Sequence, residues 1–145
     1  MDHAIAARQI IEIAFSQNRP EVLDDLVAED CVEHQRGIGE GRRGAKGVIA
    51  TLHSWFSDFS LTVEDLAVQG DTVWCRNRAR GLDTGGALGF PATGRPFEIE
   101  VFDVMRFEDG RMVEHWGVPD QLGLLAQLGH LRPGRPDPVA SAEAR

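Results

Sequence analysis

The chain predicts an α+β domain, with helices collected early and then packed on one face of a curved antiparallel sheet. Three observations point there. Apolar side chains recur at helical spacing from Ala4 to Phe59. After Asp58 the pattern changes to strict alternation, punctuated by turn signals at Gly70-Asp71 and Asp109-Gly110. With 145 residues, 42% hydrophobic and 26% charged, the chain has the size and composition of one soluble domain.

Residues 3–17 read as an amphipathic helix. Ala4, Ala7, Ile11, Ala14 and Phe15 form one stripe, widened by Ile10, with Arg8 and Glu12 opposite. Asn18-Arg19-Pro20 breaks it, and Pro20 suits the first turn of a short second helix carrying Val22, Leu23, Leu26 and Val27. A brief extended piece, Cys31 to Gln35, sets His34 on a face with Val32. The glycine-rich stretch Gly37 to Gly44 then leads into a third helix. Its stripe of Ala45, Val48, Ile49, Leu52, Trp55, Phe56 and Phe59 is the strongest helical period in the chain. Strands follow over 61–69, 72–80, 97–107 and 111–118, with a glycine-rich loop over 83–95 and a closing helix that ends near Gly129. Residues 1–129 therefore form a single domain. The stretch 130–145, rich in Pro and Arg, is predicted to be a mobile tail.

The long strand has two chemically distinct faces. Phe97, Ile99, Val101, Asp103, Met105 and Phe107 make the apolar one; Glu98, Glu100, Phe102, Val104 and Arg106 make the other. The preceding strand divides in the same way, with Val73, Cys75, Asn77 and Ala79 set against Trp74, Arg76, Arg78 and Arg80. Arginines and glutamates on neighbouring strands predict cross-strand pairs on an outer face. Trp74, Phe102 and Val104 on that same face are costly in water, which predicts a homodimer or homotetramer assembled through it.

Polar residues on the apolar face are the candidate chemistry. Asp103 and Asn77 interrupt rows of apolar side chains, while His34, His115 and Asp120 lie at strand ends. Asp120 stands where Pro119 stops a strand and a short apolar helix begins. A carboxylate there, short of water, exchanges protons near neutral pH; the same position also suits a helix N-cap, which lowers basicity. Both roles are open to it. Asp103 can equally pair with a buried donor, and His34 and His115 can be structural. Trp55, Phe56, Phe59, Val101, Met105 and Trp116 supply apolar walls, although Trp116 falls on the face opposite His115 unless a bulge intervenes.

Other classes are excluded or left without support. A net charge of -8 argues against nucleic-acid or acidic-membrane partners. No apolar run reaches membrane-spanning or signal-peptide length, and Cys31 and Cys75 lack metal or redox spacing, so a cytoplasmic protein is expected. The histidines show none of the usual ligand spacings, so no dedicated metal site is expected. There is no tyrosine to serve as an oxyanion donor.

Several segments, taken in order, resemble the SnoaL-like polyketide cyclase family. They are Asp30-Cys31-Val32-Glu33-His34, Gly41-Arg42-Arg43-Gly44, Gly70-Asp71-Thr72-Val73, Thr84-Gly85 with Leu88 to Pro96, Arg106 to Gly110, and His115-Trp116 with Asp120. The likeness covers residues 5–129. It implies the cone of the nuclear-transport-factor-2-like group, with an internal pocket, dimers or tetramers and no cofactor. It also implies that Asp120 matches the aspartate used as general acid/base in an intramolecular aldol closure. Asp83 departs from the family, where a histidine often precedes the Thr-Gly pair. The missing tyrosine speaks against the ketosteroid isomerase branch, and Val101 stands where the epoxide hydrolase relay needs an arginine.

The leading expectation is thus a cofactor-free cyclase acting on a small apolar, carbonyl-rich substrate. Asp120, His34 and Asp103 are its candidate catalytic residues; His115, Asn77 and the apolar walls are its candidate substrate contacts. The alternatives are a non-catalytic small-molecule binder, or a hydroxylase or hydrolase on the same fold.

Overall fold

The computed structural model describes residues 2–131. Asp2 caps the first helix, α1 (His3–Arg8), accepting from the amides of Ala4 and Ile5. The helix then widens into a π-helical stretch, Gln9–Phe15, that turns Ile10, Ile11 and Ala14 into the core. The single α-helical period expected through residue 17 is corrected there. A 3-10 turn, Pro20–Val22, opens on the expected proline and leads into α2 (Leu23–Leu26). Strand β1 (Val27–Glu33) follows, then α3 (Gly41–Trp55). His53 of α3 donates to the Phe15 carbonyl at 2.7 Å and ties the two helical layers together.

The helix ends at Trp55, four residues earlier than its apolar stripe suggests. Phe56 is already extended and begins β2 (Phe56–Gln69). Strict alternation would put Phe56 and Phe59 on opposite faces. Asp58 takes a left-handed φ of 52°, and the pairing register shifts between Ser57 and Ser60, so both rings stay inside. An irregular strand entry thus mimics a helical period.

The remaining strands are β3 (Thr72–Asp83), β4 (Pro96–Glu108) and β5 (Arg111–Pro119), closed by α4 (Gln121–Gln127). They form one curved, unclosed sheet in the order β1-β5-β4-β3-β2. The α+β expectation holds, with one refinement. The sheet is mixed, because β1 runs parallel to β5 along the edge, with Glu33 beside His115.

The two faces divide as the alternation predicts. Phe97, Ile99, Asp103, Met105 and Phe107 of β4 are buried, as are Val73, Cys75, Asn77 and Ala79 of β3. On the outer face Arg78 pairs with Glu98 at 2.9 Å and with Glu64 at 3.3 Å, and Arg76 reaches Glu100 at 3.4 Å. Trp74, Phe102 and Val118 stay exposed on it, by 52%, 51% and 69%. The glycine-rich loop before β4 is organised by Asp83. This buried carboxylate accepts from the Gly86 and Thr93 amides and the Thr93 hydroxyl. The expected tail lies outside the described residues from 132 onward. His130, at its start, stacks on Phe90 with the rings 4.1 Å apart. Among the described residues no helix is long and apolar enough to cross a membrane.

Candidate functional site

Between the helices and the inner face of the sheet lies a cavity of about 760 Å³. Trp55, Phe56, Phe59, Val101 and Met105 line it as expected, joined by Ile99 and by Leu88 from the loop that Asp83 holds. The polar side chains of its inner end come from three adjacent strands. β4 and β5 are antiparallel neighbours, with Met105 opposite His115 and Asp103 opposite Gly117. β1 on the far side places Glu33 level with His115. An imidazole on the middle strand is thereby flanked by carboxylates from both neighbours.

The geometry is a linear array. His115 Nε2 donates to Asp103 Oδ1 at 2.8 Å, and its Nδ1 donates to Glu33 at 2.8 Å. Asp103 Oδ2 accepts from Asn77 Nδ2 at 2.7 Å. The Gln35 amide donates to Glu33 Oε1 at 2.8 Å, fixing the outer carboxylate in turn. All three charged side chains are largely buried, at 12% exposure for His115 and 8% for each carboxylate. Burial alone disfavours a charged imidazole. The hydrogen bonds and charges of Asp103 and Glu33 outweigh it and push the histidine up to about 9. At neutral pH the site therefore contains an imidazolium clamped between two carboxylates. The imidazole separates the carboxylates instead of converging with them on a common point, an arrangement that holds a proton rather than a metal.

Gly117 completes the site by having no side chain. A Cβ there would collide with the Gln35 amide oxygen and crowd Asp103 and His115. The Gln35 side chain thus lies across Gly117, next to Asp103. It makes no hydrogen bond to another described residue, and it borders the cavity.

The expected residues divide sharply. Asp103 and His115 meet at the cavity, and Asn77 supports Asp103 from behind without lining it. Asp120 is elsewhere. It is exposed, does not border the cavity, and accepts from the Gly123 amide at 2.9 Å as the N-cap of α4. One oxygen of its carboxylate accepts the capping bond, and Pro119 and Gln121 on either side of it border the cavity. His34 is also outside. Just past the end of β1 it turns to the outer face, where it donates to Glu114 at 2.7 Å and stacks on Trp116 at 4.6 Å. Trp116 follows it out, since no bulge reverses β5 between His115 and Trp116. Neither borders the cavity.

The residue that the sequence expectations left out is Glu33. The signal was present: the alternation that puts Val32 and His34 together sets Cys31 and Glu33 on the other face. What was missing was the parallel pairing of β1 with β5, which no local pattern encodes. Both cysteines are buried, unpaired thiols that burial pushes up to about 12, so neither serves as a nucleophile at neutral pH.

Comparison with known proteins agrees with this architecture. The chain is 34% identical over 101 residues to aklanonic acid methyl ester cyclase DnrD from Streptomyces peucetius, covering 68% of each chain. It is 26% identical over 121 residues to nogalonic acid methyl ester cyclase from Streptomyces nogalater, covering 80% of this chain and 90% of that one. Among solved structures, TsrD from Streptomyces laurentii superposes with a TM-score of 0.81 at 33% identity, over 90% of this chain and 99% of that one. The profile of one family runs through both the helical layer and the whole sheet, matching residues 4–128, and the chain belongs to that family, the SnoaL-like polyketide cyclases.

Proposed function

We propose that the chain is a cofactor-free cyclase that closes a ring in a small, apolar, carbonyl-rich substrate by an intramolecular aldol reaction, with Asp103 as its acid–base group. The observation that carries this reading is the Glu33–His115–Asp103 array opening on an apolar cavity. The names of its relatives, cyclases of polyketide methyl esters, support the reaction class.

The chemistry follows from the arrangement. A carbon between two carbonyl groups is acidic enough for a carboxylate held against it to remove its proton. Asp103 takes that proton and becomes a carboxylic acid, leaving an enolate on the substrate. The enolate carbon attacks a second carbonyl carbon of the same molecule; a C–C bond forms and the carbonyl π pair becomes an alkoxide. The alkoxide takes the proton back from Asp103, which restores the carboxylate. His115 stays protonated throughout. It holds Asp103 in register, and its charge offsets the negative charge that develops nearby. Glu33 and Asn77 are positioning residues for His115 and Asp103. Trp55, Phe56, Phe59 and Met105 fold the flexible chain so that its reacting carbons meet.

The exposed Trp74, Phe102 and Val118 support a homodimer in which a second copy covers the outer face of the sheet. The two reduced cysteines support action in the cytoplasm.

The test is Asp103→Asn assayed with aklanonic acid methyl ester as the probe substrate. Turnover falls by about 10²–10⁴-fold while binding of the ester is kept within a few-fold. Turnover within about tenfold of the native protein, or equal loss of binding and turnover, overturns the assignment. A native protein that binds the ester and releases it unchanged is a binder, and the cyclase reading fails.

A further inference from the structure

Two guanidinium groups at the cavity rim are unused by the mechanism above. Arg36, in the loop between β1 and α3, and Arg43, in the first turn of α3, both border the cavity and are exposed. Neither has a carboxylate within ion-pair distance among the described residues. Their neighbours differ: Lys46 sits 2.6 Å from Asp24, and Arg42 reaches the same carboxylate at 3.5 Å. One turn of helix thus sends two cations away to an aspartate and leaves a third facing the opening. The end of α3 adds to the field. Its N-cap residue, Glu40, makes no side-chain cap, and its first turn contains no acid.

The buried and the exposed parts of the cavity lining therefore differ in charge. At the inner end the two carboxylates of Glu33 and Asp103 face one imidazolium and leave a negative excess. At the rim, Arg36 and Arg43 face the one carboxylate of Glu40, whose Oε2 accepts weakly from the Glu33 amide at 3.4 Å, and leave a positive excess. An anionic substituent is repelled inside and attracted at the opening.

We infer that Arg36 and Arg43 form a subsite for a carboxylate on the outer end of an otherwise apolar substrate, which orients that substrate with its neutral, carbonyl-bearing end against Asp103. This rests on the reading of the cavity as the substrate site. Guanidinium suits the task because its planar fork matches a carboxylate with two parallel hydrogen bonds.

The test uses anthraquinone-2-carboxylate and its methyl ester, two probes that differ only in the charge at one end. Each is titrated into the full chain at neutral pH by calorimetry. The carboxylate binds about 5–10-fold more tightly than the ester, and the preference shrinks as salt is raised. Arg36→Gln with Arg43→Gln removes the preference and leaves the affinity for the ester unchanged; Arg42→Gln, whose cation already faces Asp24, keeps it. Equal affinities in the native protein overturn the inference, as does a preference that survives the double substitution. In both cases a bound ester still leaves the cavity reading standing. If neither probe binds at about 1 mM, both fall together.

Discussion

The inner and outer faces of the sheet each hold a histidine bonded to a glutamate, and the two pairs have different chemical consequences. On the outer face His34 donates to Glu114, lies against Trp116 and remains half exposed, with Arg106 sharing the same glutamate. Water and neighbouring charges moderate everything there. On the inner face His115 has a carboxylate on each nitrogen and little access to solvent, and its proton is held to about 9. A histidine–glutamate contact alone is therefore common surface chemistry. The second carboxylate, together with burial, turns the contact into a charged unit inside a cavity.

The comparison is broken most directly at Asp103. Asp103→Asn keeps the shape but removes the base, and activity falls by about 10²–10⁴-fold; the same change at Asp120 stays within about threefold. If the two variants rank in the opposite order in steady-state assays, the inner array is not the acid–base centre.

Next in size is the effect of removing the second carboxylate. Glu33→Gln leaves His115 with one charged partner, as His34 has. kcat falls by about 10–100-fold, and the alkaline limb of its pH profile moves to lower pH. A merely structural role for Glu33 leaves the limb where it was.

The raised pKa of His115 has a signed consequence for stability. Its folded value, about 9, lies above its ordinary value of 6.5, so the array contributes its stabilisation fully below about pH 6.5. That contribution declines as pH rises through about 9. Thermal unfolding midpoints measured from about pH 6 to about pH 10 fall across this window, and His115→Gln flattens the dependence.

The smallest effect separates capping from catalysis. Asp120→Ala removes the acceptor for the Gly123 amide and costs about 1 kcal/mol in denaturant unfolding, with turnover nearly unchanged.

The fold was legible because its signals are local. Alternation in β3 and β4 fixed which side chains face inward, and the turns at Gly70-Asp71 and Asp109-Gly110 fixed the hairpins. The apolar lining was legible for the same reason. Asp103, Asn77 and His115 stood out as polar exceptions on apolar faces, and the structure keeps Asp103 and His115 at the cavity, with Asn77 immediately behind. Glu33 did not stand out, because its importance comes from a parallel neighbour about 80 positions away. Asp120 drew attention for a local reason, the strand-to-helix boundary, and that boundary uses it locally as a cap. Period-2 alternation sets Trp116 opposite His115 and His34 with Val32, and without a bulge between His115 and Trp116 that is where they lie, outside the cavity.

Gly117 carries one more consequence. The amide that lies over Asp103 comes from a different strand's loop, and it fits only because this position ends at its Cα. A side chain at 117 and an inward Gln35 exclude each other sterically. Gaining a side chain at 117 therefore requires the flexible Gln35 side chain to turn away, and it presses on the array as well, since Asp103 Oδ1 and His115 Cε1 both lie 3.0 Å from where the new Cβ would stand.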